Sequence, residues 1–201
     1  MKRLLLILLA AASLGAGCIT PGAAPTLVTQ PQAPQRELTP EEKLVAIAKA
    51  NTDAERDANE LTVALVLLQG EEPPAGAVLG GVIGCGDRIA YTKAPRTGTS
   101  DWLAMDAVAA LLAIRDNSKF PPYYDALANS KVGVEKVQSR DGITTEVWLH
   151  GTMNPGGVCD VPRMKEQVER TALRFAPKVA VYLNGSQKNW RCFSDQSGQC
   201  K

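Results

Sequence analysis

Cys18 stands at the end of a leader that decides which part of this sequence can fold at all. Met1-Lys2-Arg3 is a basic head, Leu4 to Ala12 is an apolar run, and Ser13 to Gly17 are mostly small residues. A secretory signal has this build, and the run is too short for an ordinary membrane span. Residues 1–17 therefore drop out of the fold, and the remainder is expected outside the cytoplasm, where cysteines can pair. Pro21, Pro25, Pro31 and Pro34 then fall among Ala, Thr, Gln and Gly. That stretch has too little apolar surface to pack and reads as an extended tether over 18–38.

The leader also changes the charge. The whole chain has 22 basic and 21 acidic side chains, and losing Lys2 and Arg3 leaves 20 basic ones. A nearly neutral domain has no field to hold nucleic acid and no polybasic patch for a membrane surface. No second long apolar run follows, so any anchor is expected to be lipid alone.

From Thr39 onward the patterning is that of one domain preceded by a helix. Thr39-Pro40-Glu41-Glu42 has a capping residue, a first-turn proline and a glutamate three after the cap. The spacing predicts a helix over about 40–58, within a 39–60 stalk segment ahead of a domain over 61–201. Leu61 to Leu68 is apolar on both alternations, as a strand covered on both faces would be. Residues 70–81 read as a loop and Ile89 to Lys93 as a second strand. Leu103, Ala107, Val108, Leu111 and Leu112 recur at helical spacing, with Thr99 or Ser100 as the cap. Lys131 to Gln138 and Thr144 to Met153 read as strands joined by the Asp141-Gly142 turn. Asp160 is expected to cap a helix whose apolar face holds Met164, Val168, Ala172 and Phe175. Val179 to Leu183 and a short run near Trp190 to Phe193 read as the last strands. The expected order is ββαββαββ: an α+β, two-layer sandwich, with two amphipathic helices on one face of a mixed sheet.

The Ala16-Gly17-Cys18 junction resembles the lipobox of bacterial lipoproteins. The resemblance implies cleavage before Cys18, a diacylglycerol on its thiol and an acylated amino terminus, commonly palmitate. Two or more buried acyl chains, at about 0.8 kcal/mol per CH2, anchor a protein stably. With Cys18 so used, four cysteines remain, and an even set in an exported chain suggests disulfides. Of three possible pairings, Cys85–Cys159 with Cys192–Cys200 is favoured, because the second pair closes a polar tail that could not otherwise hold its place. In the chain-entropy model these loops contribute roughly 4 and roughly 2.5 kcal/mol. A zinc site has weak support, since no Cys-x-x-Cys pair occurs. The glycines around Cys85 form neither a dinucleotide nor a phosphate loop, so no cofactor is expected.

Six segments together resemble the GerMN (Germane) domain of bacterial envelope lipoproteins and spore germination proteins. They are Ile83 to Ile89 with its Gly-Cys-Gly-Asp, Ala107 to Ile114, Tyr124 to Ser130 with Val134 to Val137 and the Asp141-Gly142 turn, Leu149-His-Gly-Thr152, Gly156 to Asp160 leading into Glu166 to Phe175, and Val181 to Gly185. The resemblance covers about 61–185 and implies that Cys85 and Cys159 are joined. It further implies a non-catalytic, structural or protein-interaction module of the cell envelope. His150, where serine is common, and the tail from Trp190 to Lys201 depart from the pattern.

A Ser-His-Asp hydrolase would have to use His150, the only histidine, and no Gly-x-Ser-x-Gly elbow accompanies it. Asp87 and Asp160, each near a cysteine of the favoured pair, could form a carboxylate pair for sugar cleavage. Their plainer roles are a turn and a helix cap. Trp148, His150 and Tyr182 alternate with Val147, Leu149 and Val181, so they are expected together on the sheet face away from the helices. That face could bind a partner protein, or a glycan such as peptidoglycan, unless the 40–58 helix or the tail covers it. The expected function is therefore that of a lipid-anchored, non-enzymatic envelope protein that meets another envelope protein. Glycan binding stands second and surface hydrolysis third.

Overall fold

The computed structural model describes residues 36–193. Cys18, the leader, the tether up to residue 35, and Cys200 lie outside the described residues. Among those described, no helix is long and apolar enough to cross a membrane. The described chain is α+β: four α-helices and two three-stranded sheets.

Helix α1 (Pro40–Glu55) opens as its sequence predicts. Glu42 N donates to Thr39 Oγ1 and Thr39 N donates to Glu42 Oε2, with Pro40 in the first turn. The helix stops at Glu55, short of 58, because the Glu55 carboxylate turns onto the next strand, β1 (Glu60–Leu67). Strand β1 is buried on both faces, as its unbroken apolar run requires. It pairs antiparallel with β3 (Arg88–Pro95), whose other side carries β2 (Val78–Val82). Strand β2 replaces part of the loop expected over 70–81. Its Gly80-Gly81 hides the strand from side-chain patterning. A Cβ on Gly80 would lie 3.2 Å from Ile89 Cβ, so the missing side chain is what lets the two strands approach.

After α2 (Leu103–Leu112) come β4 (Lys131–Ser139) and β5 (Thr144–Thr152), then α3 (Asp160–Leu173) and β6 (Lys178–Leu183). β4 and β5 form the predicted hairpin, with Gly142 at φ 76° and Asp141 Oδ1 accepting from Ile143 N. β6 joins β5 in parallel, which makes this sheet mixed. The caps differ from expectation. α2 has Trp102 before it and no side-chain cap, while Ser100 Oγ accepts from Trp102 N. Asp160 is the first residue of α3, after Cys159, and accepts from Gly156 N. The strand expected over Trp190 to Phe193 is instead α4 (Gln187–Cys192). Ser186 caps it by accepting from Asn189 N, and buried Trp190 donates from Nε1 to Glu169 at 2.8 Å.

One mixed sheet was expected and two are found, because β1's free edge is closed by side chains. Thr62 N donates to Glu55 Oε2, Ala64 N to Thr171 Oγ1, and Gln167 Nε2 to Ala64 O. Val66 exchanges both backbone bonds with Tyr124. The buried backbone groups are thus paired without a neighbouring strand. The main hydrophobic core nevertheless spans both sheets, with Val63 and Leu65, Val108 and Leu111, Val147 and Leu149, Met164 and Val168, and Val181 and Leu183. Helices α2 and α3 pack on each other and on strands of both sheets. α1 is held mainly by polar contacts, Asn51 Nδ2 to Arg174 O and Lys178 to Glu41, and leaves Leu44, Val45 and Ile47 exposed.

Candidate functional site: a carboxylate clamp and an aromatic face

Cys85 and Cys159 are joined by a disulfide that ties the 84–86 turn to the start of α3, 74 residues on. Cys85 itself sits at φ 64°, a left-handed conformation uncommon for a residue with a side chain. Cys192 ends α4, and its expected partner Cys200 lies outside the described residues.

The disulfide brings Asp87 and Asp160 to one place, but not as an open pair. Arg163 lies between them, with Nε 2.7 Å from Asp87 Oδ2 and Nη1 3.0 Å from Asp160 Oδ1. Gln69 N also donates to Asp87, and Tyr124 OH and Gly156 N donate to Asp160. Both carboxylates are buried and the guanidinium is largely so. Burial works against the Arg163 charge, yet its bonds to the two carboxylates outweigh this and hold its pKa above the usual arginine value. Burial and the adjacent Asp160 push the Tyr124 hydroxyl up. Every oxygen of the acid pair is engaged, so the set is built to hold the 84–87 turn against α3. A glycosidase pair needs the opposite: two carboxyl groups open to a substrate, one of them carrying a proton. Arg163 was missed in the sequence, although its place three after Asp160 on a helix is a pairing distance.

Trp148, His150 and Tyr182 do lie on one face, but they do not form one surface. Trp148 and Tyr182 are cross-strand neighbours whose rings stack 4.1 Å apart and nearly parallel. From the strand on the other side, Lys136 places its ammonium 4.4 Å from the Trp148 ring centre. Strand order puts Lys136 and Tyr182 on opposite sides of Trp148, so both faces of the indole are occupied. Sugar rings stack on free aromatic faces, and Trp148 has none to offer. Beneath this stack Glu146 accepts from Gln138 Nε2 and Tyr182 OH and pairs with Arg140 Nε at 3.3 Å. The bond from Gln138 is the largest of several that hold its carboxyl below the usual glutamate range. The indole Nε1 leans on the same carboxylate without good hydrogen-bond geometry. The cover over Glu146 is one layer of side chains on the sheet's outer face, not depth. Neither α1 nor α4 is placed there by its hydrogen bonds, which run to Arg174, Thr62, Lys178 and Glu169.

His150 stands apart. It is exposed and lies over Gly133, its cross-strand partner, where a Cβ would come within 3.2 Å of the imidazole Cε1. It lines an open groove of about 620 Å³ with Arg115, Ser130 and Lys131. Gly151 follows at φ 116°, where a Cβ would strike the Lys131 carbonyl. Asn184 clasps that glycine, accepting from Gly151 N and donating to Gly151 O. The Leu149-His-Gly-Thr152 and Val181 to Gly185 segments are therefore one structural unit.

A further buried acid escaped the sequence. Asp125 is 1% exposed, and its Oδ1 accepts from Leu127 N and Gln167 Nε2, while Oδ2 has no partner. Burial pushes its carboxyl up to about 6.

Fold and site together define a disulfide-clamped α+β domain with an internally stacked aromatic face. No family model, no curated protein and no solved structure matches the chain.

Proposed function

We propose that this chain is an exported lipoprotein, held at the extracytoplasmic face of a membrane by lipid on Cys18. Its GerMN-like domain acts by meeting another envelope protein, not by catalysis. In the same reading, α2 and α3 form one layer over a sheet split in two, and Cys192 pairs with Cys200.

The observation that carries the reading is the contrast between sheet edges. The β1 edge is closed by Glu55, Thr171, Gln167 and Tyr124. β4 is guarded by Lys131, Glu135, Lys136 and a bulge. β2 has a register shift of its own, between Leu79 and Val82, but neither closing side chains nor guarding charges. No charged residue occurs from Pro73 to Gly86, Val78 and Val82 are 59% and 71% exposed, and no described side chain bonds to the Val78–Val82 backbone. An open, uncharged edge accepts an added strand through its backbone groups. The occupant it suits is an extended, uncharged segment of a partner protein.

Two measurements test this. Cys18→Ser should move the protein out of the detergent-soluble membrane fraction, and its persistence there would sink the anchor. Crosslinking in cells should recover a partner with the natural chain that is lost with Val82→Lys. The same recovery from both would exclude the β2 edge.

A further inference from the structure

We propose that the groove at the start of β4 binds a phosphate group. Three cationic or potentially cationic side chains reach it from three separate parts of the chain: Arg115 after α2, Lys131 at the first residue of β4, and His150 near the end of β5. No carboxylate lines the groove. Neither Arg115 nor Lys131 is in a described ion pair, whereas Lys49, Lys93, Arg96, Arg140, Arg163, Arg170 and Lys178 each pair with an acid.

The groove is held in shape by bonds that leave its cationic ends available. Arg115 Nη1 donates to the Ser130 carbonyl, which fixes the guanidinium at the rim while its other N–H groups have no described acceptor. Asp125 behind Arg115 offsets part of its charge without bonding to it. Ser130 is buried, and its hydroxyl accepts from Asn154 N, which fixes the start of β4 beneath the groove. Gly133 leaves the floor flat so that His150 lies across β4. An arginine fork and an ammonium around one concavity match the several acceptor oxygens of a phosphate. The volume, about 620 Å³, also leaves room for a small attached group such as glycerol or a sugar.

The groove is open, so ions screen it, and binding should be weak and salt-sensitive. The proposal stands apart from the Cys18 anchor and the β2 edge, and neither of those tests decides it. The experiment is a two-dimensional NMR titration of the full chain in neutral detergent micelles at low ionic strength. The probes are glycerol 3-phosphate and dioctanoyl phosphatidylglycerol. Saturable shifts at Asn129 to Gly133 and at His150 are expected, with a dissociation constant in the millimolar range or below. Lys131→Glu, an exposed change that leaves the rest of the spectrum in place, should weaken binding about tenfold or more. Tighter binding of the lipid probe would assign the phosphate to a headgroup, and equal binding to a soluble phosphoester. No saturable shift with either probe, or the same affinity in Lys131→Glu, would overturn the proposal.

Discussion

Asp125→Asn should stabilise this domain at neutral pH, although it changes a residue that accepts two buried hydrogen bonds. In the folded chain the Asp125 carboxyl is pushed from 3.8 to about 6, chiefly by burial. The bonds from Leu127 N and Gln167 Nε2 and the charge of Arg115 pull the other way and do not win. At about 1.4 kcal/mol per pKa unit, the ionised form is worth about 3 kcal/mol less to the fold than the protonated form. The sign follows from linkage. Between pH 4 and pH 6 the folded state holds a proton that the unfolded state has released, so this group's contribution falls as pH rises through that window and is flat above it. Asparagine keeps an oxygen for Leu127 N and Gln167 Nε2 and carries no charge. It gives up only the attraction to Arg115 and leaves its amide where Oδ2 has no partner. Urea denaturation should therefore give the variant a stability gain of about 1–3 kcal/mol at pH 7.5, at unchanged m-value, shrinking towards zero near pH 4. Other acids titrate equally in both proteins and cancel. An equal or lower stability at pH 7.5, or a difference that does not vary with pH, would refute the reasoning.

Three other changes probe the remaining buried features. Arg163→Gln leaves Asp87 and Asp160 buried without their shared cation, which should destabilise by about 3–5 kcal/mol in urea; a loss under 1 kcal/mol would show the clamp to be idle. Replacing both Cys85 and Cys159 by alanine opens a cross-link over 74 residues, so the chain-entropy model expects a loss of about 4 kcal/mol and a melting point about 10 °C lower. An unchanged melting point would count against it. Gly151→Ala sets a Cβ against the Lys131 carbonyl and breaks the Asn184 clasp. Hydrogen exchange should then report faster opening at Lys131 to Gly133 and at Asn184, and undisturbed protection there would contradict the clash.

Much of the fold was legible because local chemistry and tertiary packing agree. Thr39, Pro40 and Glu42 specify the start of α1 without help, and the unbroken run of β1 announces a strand buried on both faces. Asp141-Gly142 fixes the hairpin, and the pairing of Cys85 with Cys159 follows the expected bridge. What was not legible depends on partners far away in sequence. Gly80-Gly81 becomes a strand only because β3 lies beside it. Trp190 becomes helical because Ser186 caps α4 and Glu169 receives the indole. Alternation put Trp148, His150 and Tyr182 on one face correctly, but could not show that Lys136 and Tyr182 fill the indole's two sides.

The split between the two sheets has the same origin and reaches further. A strand as apolar as β1 would ordinarily be expected to continue into a neighbour, because its backbone groups need partners once buried. Here Glu55, Thr171 and Gln167, three polar residues from two helices, take the neighbour's place. That use explains why Gln167 and Thr171 are fully buried on a helix face that composition alone would assign to packing. Through Glu55 it also adds a buried link to the Asn51 and Glu41 contacts that hold α1 to the domain. Once β1 is closed, the free edge of its sheet is β2, on the far side of β3. The interaction surface proposed for this chain thus follows from how its first strand is satisfied, and Glu55→Gln, which removes the charge and turns one of two accepting oxygens into a donor, should speed hydrogen exchange in α1 while leaving it unchanged in β2.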